Sequence, residues 1–148
     1  VIGPHVSPPS SDHVCAILRK IKSKSQYCVV KEIDKLERKM GAKAFRETFK
    51  TITCDNGCEN LDFEGIERSV LAKKKRTTVY YAHPYSAWER GSNENANKLI
   101  RRFIPKGVDI GEFSHERIKI IEHWINNYPR RIFGGMSSNM VKSQLKVA

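Results

Sequence analysis

Apolar residues near the start of the chain occur in short runs, and two of these runs predict a β-hairpin. Residues 14–21 (VCAILRKI) and 27–33 (YCVVKEI) are rich in β-forming side chains and are joined by the polar segment KSKSQ. Residues 1–2 resemble the end of a strand, and the prolines and serines of residues 5–12 predict a loop. The first part of the chain therefore predicts β-structure.

After residue 33, segments with apolar residues at helical spacing are separated by two short β-type runs. The runs are residues 51–54 and 77–82, and each predicts a strand. Helices are predicted at residues 34–50, 62–71, 92–104 and 114–127. Asp34 is placed to cap the first of these helices. The order of the elements predicts a single α/β domain over residues 1–148, with helices packed on a mixed sheet.

Basic residues strongly outnumber acidic ones. The chain has 27 lysines and arginines against 16 aspartates and glutamates, which gives a formal net charge of +11. Such a surplus is typical of a well-solvated surface or of a protein that binds an anionic polymer, and we expect nucleic acid. No apolar run approaches the roughly 20 residues of a membrane span, and no leader-like segment opens the chain. We therefore expect no membrane partner.

Asp55 is the first candidate for chemistry, because it directly follows the predicted strand at residues 51–54. A carboxylate at the carboxyl end of a buried strand points out of the sheet edge where ligands usually collect. The alternative is a structural role, since Asp-Asn-Gly is also a common turn sequence in which the aspartate bonds to its own backbone.

Glu94 is the second candidate, on the predicted helix 92–104. On a helical wheel Asn97, Lys98 and Arg101 fall within about 60° of Glu94, and the apolar residues fall on the other side. This carboxylate is therefore expected on an exposed face among basic and amide groups. The alternative is a solvated face on which Glu94 pairs with Lys98, worth roughly a few tenths of a kcal/mol.

The cysteines do not indicate a metal site. Cys54 and Cys58 form a C-x3-C pair, but no second closely spaced pair accompanies them, and the five histidines are scattered. Cys15 and Cys28 lie in apolar runs, where a reduced cysteine behaves as a small hydrophobic residue. We expect neither structural zinc nor disulfides.

Three motifs give the sequence a specific resemblance. They are ITCDNG (residues 52–57), HPYSAWERGSNENANKLIRRFIPKG (residues 83–107) and WINNYPRRIFGG (residues 124–135). Together they resemble the catalytic domain of bacterial insertion-sequence transposases of the IS-thirty family, which belong to the DDE superfamily together with the retroviral integrases. The similarity extends over nearly the whole chain and is strongest over residues 52–135.

The resemblance implies a fold and a chemistry. The fold would be RNase H-like, a mixed five-stranded sheet with helices on both faces, its first strand truncated here. Asp55 and Glu94 would be the second and third acids of the catalytic triad. They would hold two Mg²⁺ or Mn²⁺ ions, which activate a water or a 3′-hydroxyl for in-line attack on a phosphodiester. The site would cleave DNA at the ends of the element and then join those ends to a target.

The resemblance also implies a partner, double-stranded DNA at the element ends and the target. Candidate DNA contacts, each also explicable as a solvated polar group, are Arg90, Asn93, Asn97, Lys98, Arg101, Arg102, Arg130 and Arg131. We interpret residues 73–76 (KKKR) and 130–131 as basic clusters on the surface. A transposase acts on two ends at once, so the full protein is expected to be a homo-oligomer in the bacterial cytoplasm, associated with the nucleoid.

Some expected features have no counterpart in the sequence. The first acid is expected just ahead of residues 1–3, and a DNA-binding helix-turn-helix N-terminal to it. Asp12 and Asp34 do not take the place of that acid, so we expect the 148-residue chain to bind metal weakly and to be inactive. Asn60 stands where the family usually has an aromatic residue. Glu59 either supports the site or is a helix N-terminal acid favoured by the dipole.

The alternative function is a non-catalytic nucleic-acid-binding domain on the same fold, in which Asp55 and Glu94 are relics of a former site. A nuclease of the RNase H type with other substrates is disfavoured by the RGSNEN block at residues 90–95.

Overall fold

The structure, a computed structural model, describes residues 15–55, 57–83 and 91–145, with side chains in the last range from Glu94 to Gln144. The strand predicted at residues 1–2 and the loop predicted at residues 5–12 lie outside these residues.

Two parallel strands form the sheet in the described part of the chain. β1 (Thr51–Cys54) pairs with β2 (Thr78–Tyr81) in a register that places Cys54 opposite Tyr81. The amide of Ala82 extends the ladder by donating to the carbonyl oxygen of Cys54 at 2.9 Å. The strands predicted at residues 51–54 and 77–82 are thus confirmed, as is a mixed α/β class, while the sheet described has two strands rather than five.

Within the described residues, six α-helices accompany the sheet. They are α1 (Gln26–Met40), α2 (Ala42–Thr48), α3 (Phe63–Glu67), α4 (Gly91–Ile100), α5 (His115–Asn127) and α6 (Ser138–Leu145). Single 3-10 turns lie at Cys58–Asn60, Ile110–Glu112 and Arg131–Phe133. None of the described helices is long and apolar enough to cross a membrane.

The predicted hairpin is wrong within the described residues. Residues 27–33 belong to α1, which begins after Ser25, whose hydroxyl accepts a hydrogen bond from the amide of Cys28 at 3.3 Å. Val29 and Val30 are buried on the inner face of this helix. The valines favoured a strand, but packing of one helical face against the sheet outweighs their weak intrinsic preference.

Residues 15–21 have no regular secondary structure and are held by side chains of α5 instead of a strand partner. The amide and carbonyl of Ala16 each bond to the side-chain amide of Asn126, both at 2.8 Å. The amide of Leu18 donates to Glu122 Oε2 at 2.6 Å. These bonds satisfy backbone groups that a hairpin would have paired.

The helix predicted at residues 34–50 is two helices that meet at Gly41. This glycine has φ of 84°, in the left-handed region where other residues are strained, so the chain turns between α1 and α2. Asp34 does not cap a helix but lies buried in the middle of α1. The helix predicted at residues 62–71 is confirmed only over α3, where Asp62 is the N-cap and accepts from the amide of Gly65.

The last predicted helix is confirmed, and α6 was not predicted. Ser114 caps α5 by accepting from the amide of Arg117 at 3.1 Å. The helix predicted at residues 92–104 corresponds to α4, which ends at Ile100 and is followed by turns before Pro105. Serine, asparagine and lysine make up half of α6, and its one buried apolar residue between Ser138 and Gln144 is Val141, so the sequence carries little helical periodicity here.

Many of the buried apolar side chains in the described part of the chain form two clusters. The first joins α4 and α5 and contains Leu18, Leu99, Ile100, Ile104, Ile118, Ile121 and Ile125. The second joins α1, the sheet and α3 and contains Val29, Val30, Ile52, Cys54 and Ile66. Residues 15–21 connect the two clusters, because Leu18 belongs to the first and Ile21 packs on the second.

Arg76 corrects the interpretation of residues 73–76 as a surface cluster, because it is fully buried. Its guanidinium bonds to Asp34 at 2.7 Å and to Glu37 at 3.0 Å, both on α1. It also donates to the carbonyl oxygens of Gly65 (2.9 Å) and Ile66 (2.7 Å). The arginine is therefore the polar centre of the contact between α1 and α3.

Candidate active site and nucleic-acid interface

Asp55 lies where the sequence predicts it, directly after β1 at the carboxyl end of a parallel pair. Its carboxylate is half-buried, and Oδ1 accepts a hydrogen bond from the side-chain amide of Asn60 at 2.5 Å. The end of β2 lies alongside, since Cys54 and Tyr81 are paired in the ladder. This is the edge of a parallel sheet at which ligands usually bind.

Tyr81 ties this edge to the neighbouring 3-10 turn, Cys58–Asn60. Its hydroxyl donates to the backbone carbonyl oxygen of Asn60 at 2.5 Å. Burial, and after it the negative charge of nearby groups such as Asp62, raises the pKa of Tyr81 above its ordinary value. The phenol therefore stays protonated and keeps donating throughout the neutral pH range.

A second carboxylate lies close to Asp55. A Cβ built on Gly57 would be 2.8 Å from Glu59 Oε2 and 3.1 Å from Asp55 Oδ1, so both side chains face the space beside this glycine. Cys58 Sγ also lies 3.6 Å from the same oxygen of Glu59. Glu59 also lies in the first turn of the 3-10 helix Cys58–Asn60, so both roles considered for it stay predictions.

Glu94 lies in the first turn of α4 and is exposed, as predicted. Asn97, Lys98 and Arg101 are exposed with it, whereas Leu99 and Ile100 are buried in the first apolar cluster. The predicted polar face of this helix is thus confirmed. Within the residues with described side chains, no ion pair joins Glu94 to Lys98. The pairing expected if this face were merely solvated is therefore not formed.

The remaining predicted contacts with DNA have different surroundings. Arg102 is exposed and its guanidinium lies over the ring of Tyr128, 5.3 Å from the centroid. Arg131 is exposed as well. Arg90 and the side chain of Asn93 lie outside the described residues.

Arg130 is buried, so the surface position predicted for it is wrong. It is 7% exposed, and its guanidinium lies over the ring of Phe133, 5.9 Å from the centroid. Burial lowers the pKa of Arg130, partly opposed by Cys15. Two of its nitrogens, Nε and Nη2, have no hydrogen-bond partner within the described part of the chain. Sequence alone does not distinguish it from the exposed Arg131 beside it.

The carboxylates fit a divalent cation by type but do not complete a site. Carboxylate oxygens are hard ligands of the kind that Mg²⁺ prefers. The structure groups Asp55 with Glu59 and Asn60, and Glu94 lies on a different element. Across residues 15–55, 57–83 and 94–144, no group of three or more histidines, cysteines or acids is placed to hold a metal ion.

Asn60 and Tyr81 are the site residues that the sequence did not reveal. Asn60 lies five positions after Asp55 and contacts it because the short turn between them folds back beside the end of β1. Such a turn leaves only a weak signal in the sequence. Tyr81 becomes visible only through the register of β1 and β2, which brings residues 27 positions apart side by side.

Sequence comparison places these residues in a known context. The chain is 46% identical over 89 residues to a transposase for insertion sequence element IS4351 of Bacteroides fragilis, covering 60% of this chain and 26% of that protein. It is 36% identical over 128 residues to a probable transposase for the insertion-like element IS1161 of Streptococcus salivarius, covering 83% and 35%. It is 27% identical over 137 residues to the transposase InsI of element IS30A of Escherichia coli K12, covering 87% and 34%.

No protein-family model matches the chain. The chain spans about a third or less of the length of these curated relatives. The resemblance indicated by the three motifs is confirmed nonetheless, because relatives of the same kind match over most of the chain. The chain is a relative of insertion-sequence transposases, those of IS30 among them.

Proposed function

We propose that this chain belongs to the catalytic core of a DDE transposase, which cleaves DNA strands and transfers them to a target with the help of divalent metal ions. The observation that carries the proposal is the position of Asp55 at the carboxyl end of β1, beside the end of β2. The similarity to insertion-sequence transposases supports the choice of substrate. In this proposal β1 and β2 belong to an RNase H-like sheet.

Asp55 and Glu94 are proposed as the two acids of the site contributed by this chain. Bound Mg²⁺ or Mn²⁺ would supply the Lewis acidity that in-line displacement at phosphorus requires. The chain itself would contribute the oriented carboxylate of Asp55 and an exposed carboxylate on α4. That the 148-residue chain lacks activity by itself stays a prediction, and so does assembly of the full protein into a homo-oligomer.

The polar face of α4 is the proposed contact with the DNA backbone. It is defined as Glu94, Asn97 and Lys98 together with Arg101, which directly follows the helix and whose amide bonds to the Asn97 carbonyl oxygen at 2.9 Å. Its cations are exposed and adjoin the acid that would act on the phosphodiester. Lysine and arginine bind phosphates without reading the base sequence, which suits an enzyme that must hold DNA in register. Arg102 and Arg131 are exposed and are proposed to extend this contact. Arg90 and Asn93, whose side chains lie outside the described residues, are proposed as further contacts.

Manganese binding tests the assignment of the acids. Mn²⁺ would be titrated into the chain and the free ion measured by electron paramagnetic resonance. Asp55→Asn and Glu94→Gln should each weaken binding by about tenfold or more, because loss of even an outer partner of a metal ligand costs about 10–100-fold. Glu47→Gln is the matched control, since Glu47 is exposed on α2. Unchanged binding in both test variants would reject the catalytic assignment.

A non-catalytic nucleic-acid-binding domain remains the second candidate. It is supported by the net charge of +11 and by the exposed Lys98 and Arg101, which can bind phosphates without a metal ion. Under this alternative, duplex DNA binds equally well with and without Mn²⁺, and Asp55→Asn leaves the affinity for DNA unchanged.

A further inference from the structure

The carboxylate of Asp55 is held by a side chain that the chemistry proposed above does not use. Asn60 donates from its side-chain amide to Asp55 Oδ1 at 2.5 Å. Both residues are partly buried, so this bond is shielded from competition by bulk water. A hydrogen bond between an amide and a carboxylate is charge-assisted and stronger than one between neutral groups.

Asn60 is itself anchored from the second strand. The hydroxyl of Tyr81 donates to the backbone carbonyl oxygen of Asn60 at 2.5 Å. Tyr81 is the last residue of β2 and is paired in the ladder with Cys54, the residue before Asp55. Hydrogen bonds therefore link Asp55 at the end of β1 to Asn60, and Asn60 to Tyr81, which is paired across the sheet with Cys54.

We propose that Asn60 is a positioning residue, which fixes the orientation of the Asp55 carboxylate toward a divalent cation, and that Tyr81 fixes Asn60. The inference rests on the proposed role of Asp55 as a metal ligand and deepens it. An oriented carboxylate loses less freedom when it binds a cation, so the amide raises metal affinity without touching the ion. An aromatic side chain such as phenylalanine at position 60 would lack this donor.

The test uses the full chain and Mn²⁺ as the probe. Asn60→Leu removes the donor with a branched side chain of the same number of heavy atoms, and Tyr81→Phe removes only the hydroxyl that holds Asn60. We expect Asn60→Leu to weaken Mn²⁺ binding by about 10–100-fold and Tyr81→Phe by a smaller factor, as for other outer partners of metal ligands. Asn127→Leu is the control, because Asn127 is exposed and its side chain bonds only to His123 and Asn139 among the described residues, away from Asp55.

A readout independent of affinity separates positioning from general support of the fold. The side-chain amide resonances of Asn60 in wild-type protein should shift when Mg²⁺ is added, and this shift should vanish in Asp55→Asn. A purely structural asparagine would show the same small change in both proteins. Circular dichroism confirms that each variant is folded, and Tyr81→Phe, which keeps the ring in place, decides the matter if Asn60→Leu does not fold.

The outcomes distinguish this inference from the function on which it rests. If Asp55→Asn weakens Mn²⁺ binding but Asn60→Leu and Tyr81→Phe do not, the positioning role is overturned while the acid keeps its assignment. If Asp55→Asn has no effect, the catalytic assignment fails and the inference fails with it. Weaker binding in all three variants with an unaltered Asn127→Leu control is the expected result.

Discussion

At the scale of single residues, the same kind of side chain has very different surroundings within a few positions. Lys74 is exposed, whereas Arg76 is fully buried and bonded to two carboxylates and two carbonyl oxygens. A buried charge is tolerated only when it is paired and its hydrogen bonds are satisfied. The consequence is that Asp34 and Glu37 depend on Arg76 as much as it depends on them.

Replacing Arg76 should therefore destabilise the fold strongly. In Arg76→Met the buried carboxylate of Glu37 loses its cation, and Asp34 keeps only the exposed Arg68 at 3.6 Å, so the loss in free energy of unfolding is expected at about 3–5 kcal/mol. Lys74→Met is the matched control and should change it by less than about 0.5 kcal/mol. Urea unfolding followed by circular dichroism measures both, and equal stability of the two variants would contradict the structural role of Arg76.

Individual residues of the site could be predicted only where a pattern in the neighbouring sequence marks them. Asp55 and Glu94 are marked by a strand end and by a helical polar face, which the sequence shows directly. The contact between Asn60 and Tyr81 depends on how two strands align, and sequence spacing carries no record of that. Charge alone did not separate Arg76 and Arg130 from their solvated neighbours, because burial is a property of packing.

At the scale of elements, α1 shows why the first part of the fold was predicted wrongly. Its valines and isoleucine occur in a short run, which is typical of strands, but they also fit one face of a helix. A short apolar run cannot by itself distinguish these two structures. The Ser25 cap and the buried partners on β1 and α3 decide in favour of the helix.

The contact of α1 with α3 and β2 should make stability depend on pH. Burial raises the pKa of Glu37, but hydrogen bonds from Ser69, the Val70 amide and Arg76 outweigh it and hold the pKa below its ordinary value. Bonds from Lys75 and the Val79 amide lower the pKa of Glu67. Carboxylates with lowered pKa stabilise the fold above their unfolded-state pKa, and this contribution is lost as the pH falls through the lowered folded-state value.

We therefore expect the free energy of unfolding to decrease as the pH is lowered below about 4.5, the ordinary pKa of glutamate. Urea unfolding between pH 7 and pH 3 measures the effect. Glu67→Gln keeps an oxygen for the Val79 amide but cannot titrate, so its pH dependence should be shallower. Glu47→Gln should retain the wild-type profile, and a wild-type profile in Glu67→Gln would refute the assignment.

At the scale of the whole molecule, only some of the basic residues behind the net charge of +11 lie near the candidate site. The polar face of α4 places Lys98 and Arg101 next to Glu94, whereas other lysines, such as Lys43 on α2, lie on elements without a candidate site. Overall charge attracts DNA, but only direct phosphate contacts release counterions locally. The two effects can be separated by changing one charge at a time.

Duplex DNA binding should be more sensitive to the charges on α4 than to the others. In Lys98→Gln and Arg101→Gln, the slope of log K against log salt concentration should become less negative by about 0.9, the value for one lost phosphate contact. Lys43→Gln removes the same charge from α2 and should leave the slope nearly unchanged. Fluorescence anisotropy with a labelled duplex measures these slopes, and equal changes in all three variants would show that α4 is not the contact.

The contacts of residues 15–21 imply an order in which parts of the molecule can pack during synthesis. They are synthesised before the rest of the described residues, yet the side chains that satisfy Ala16 and Leu18 lie 110 and 104 positions later, at Asn126 and Glu122. At about 5–20 residues per second, that interval is roughly 5–20 s of synthesis. During this period α1, the two strands and α3 become complete and can pack together. Residues 15–21 still lack their hydrogen-bond partners on α5. The helix α5 is thus the element that fixes the first described residues, and the two apolar clusters are joined only after it has been made.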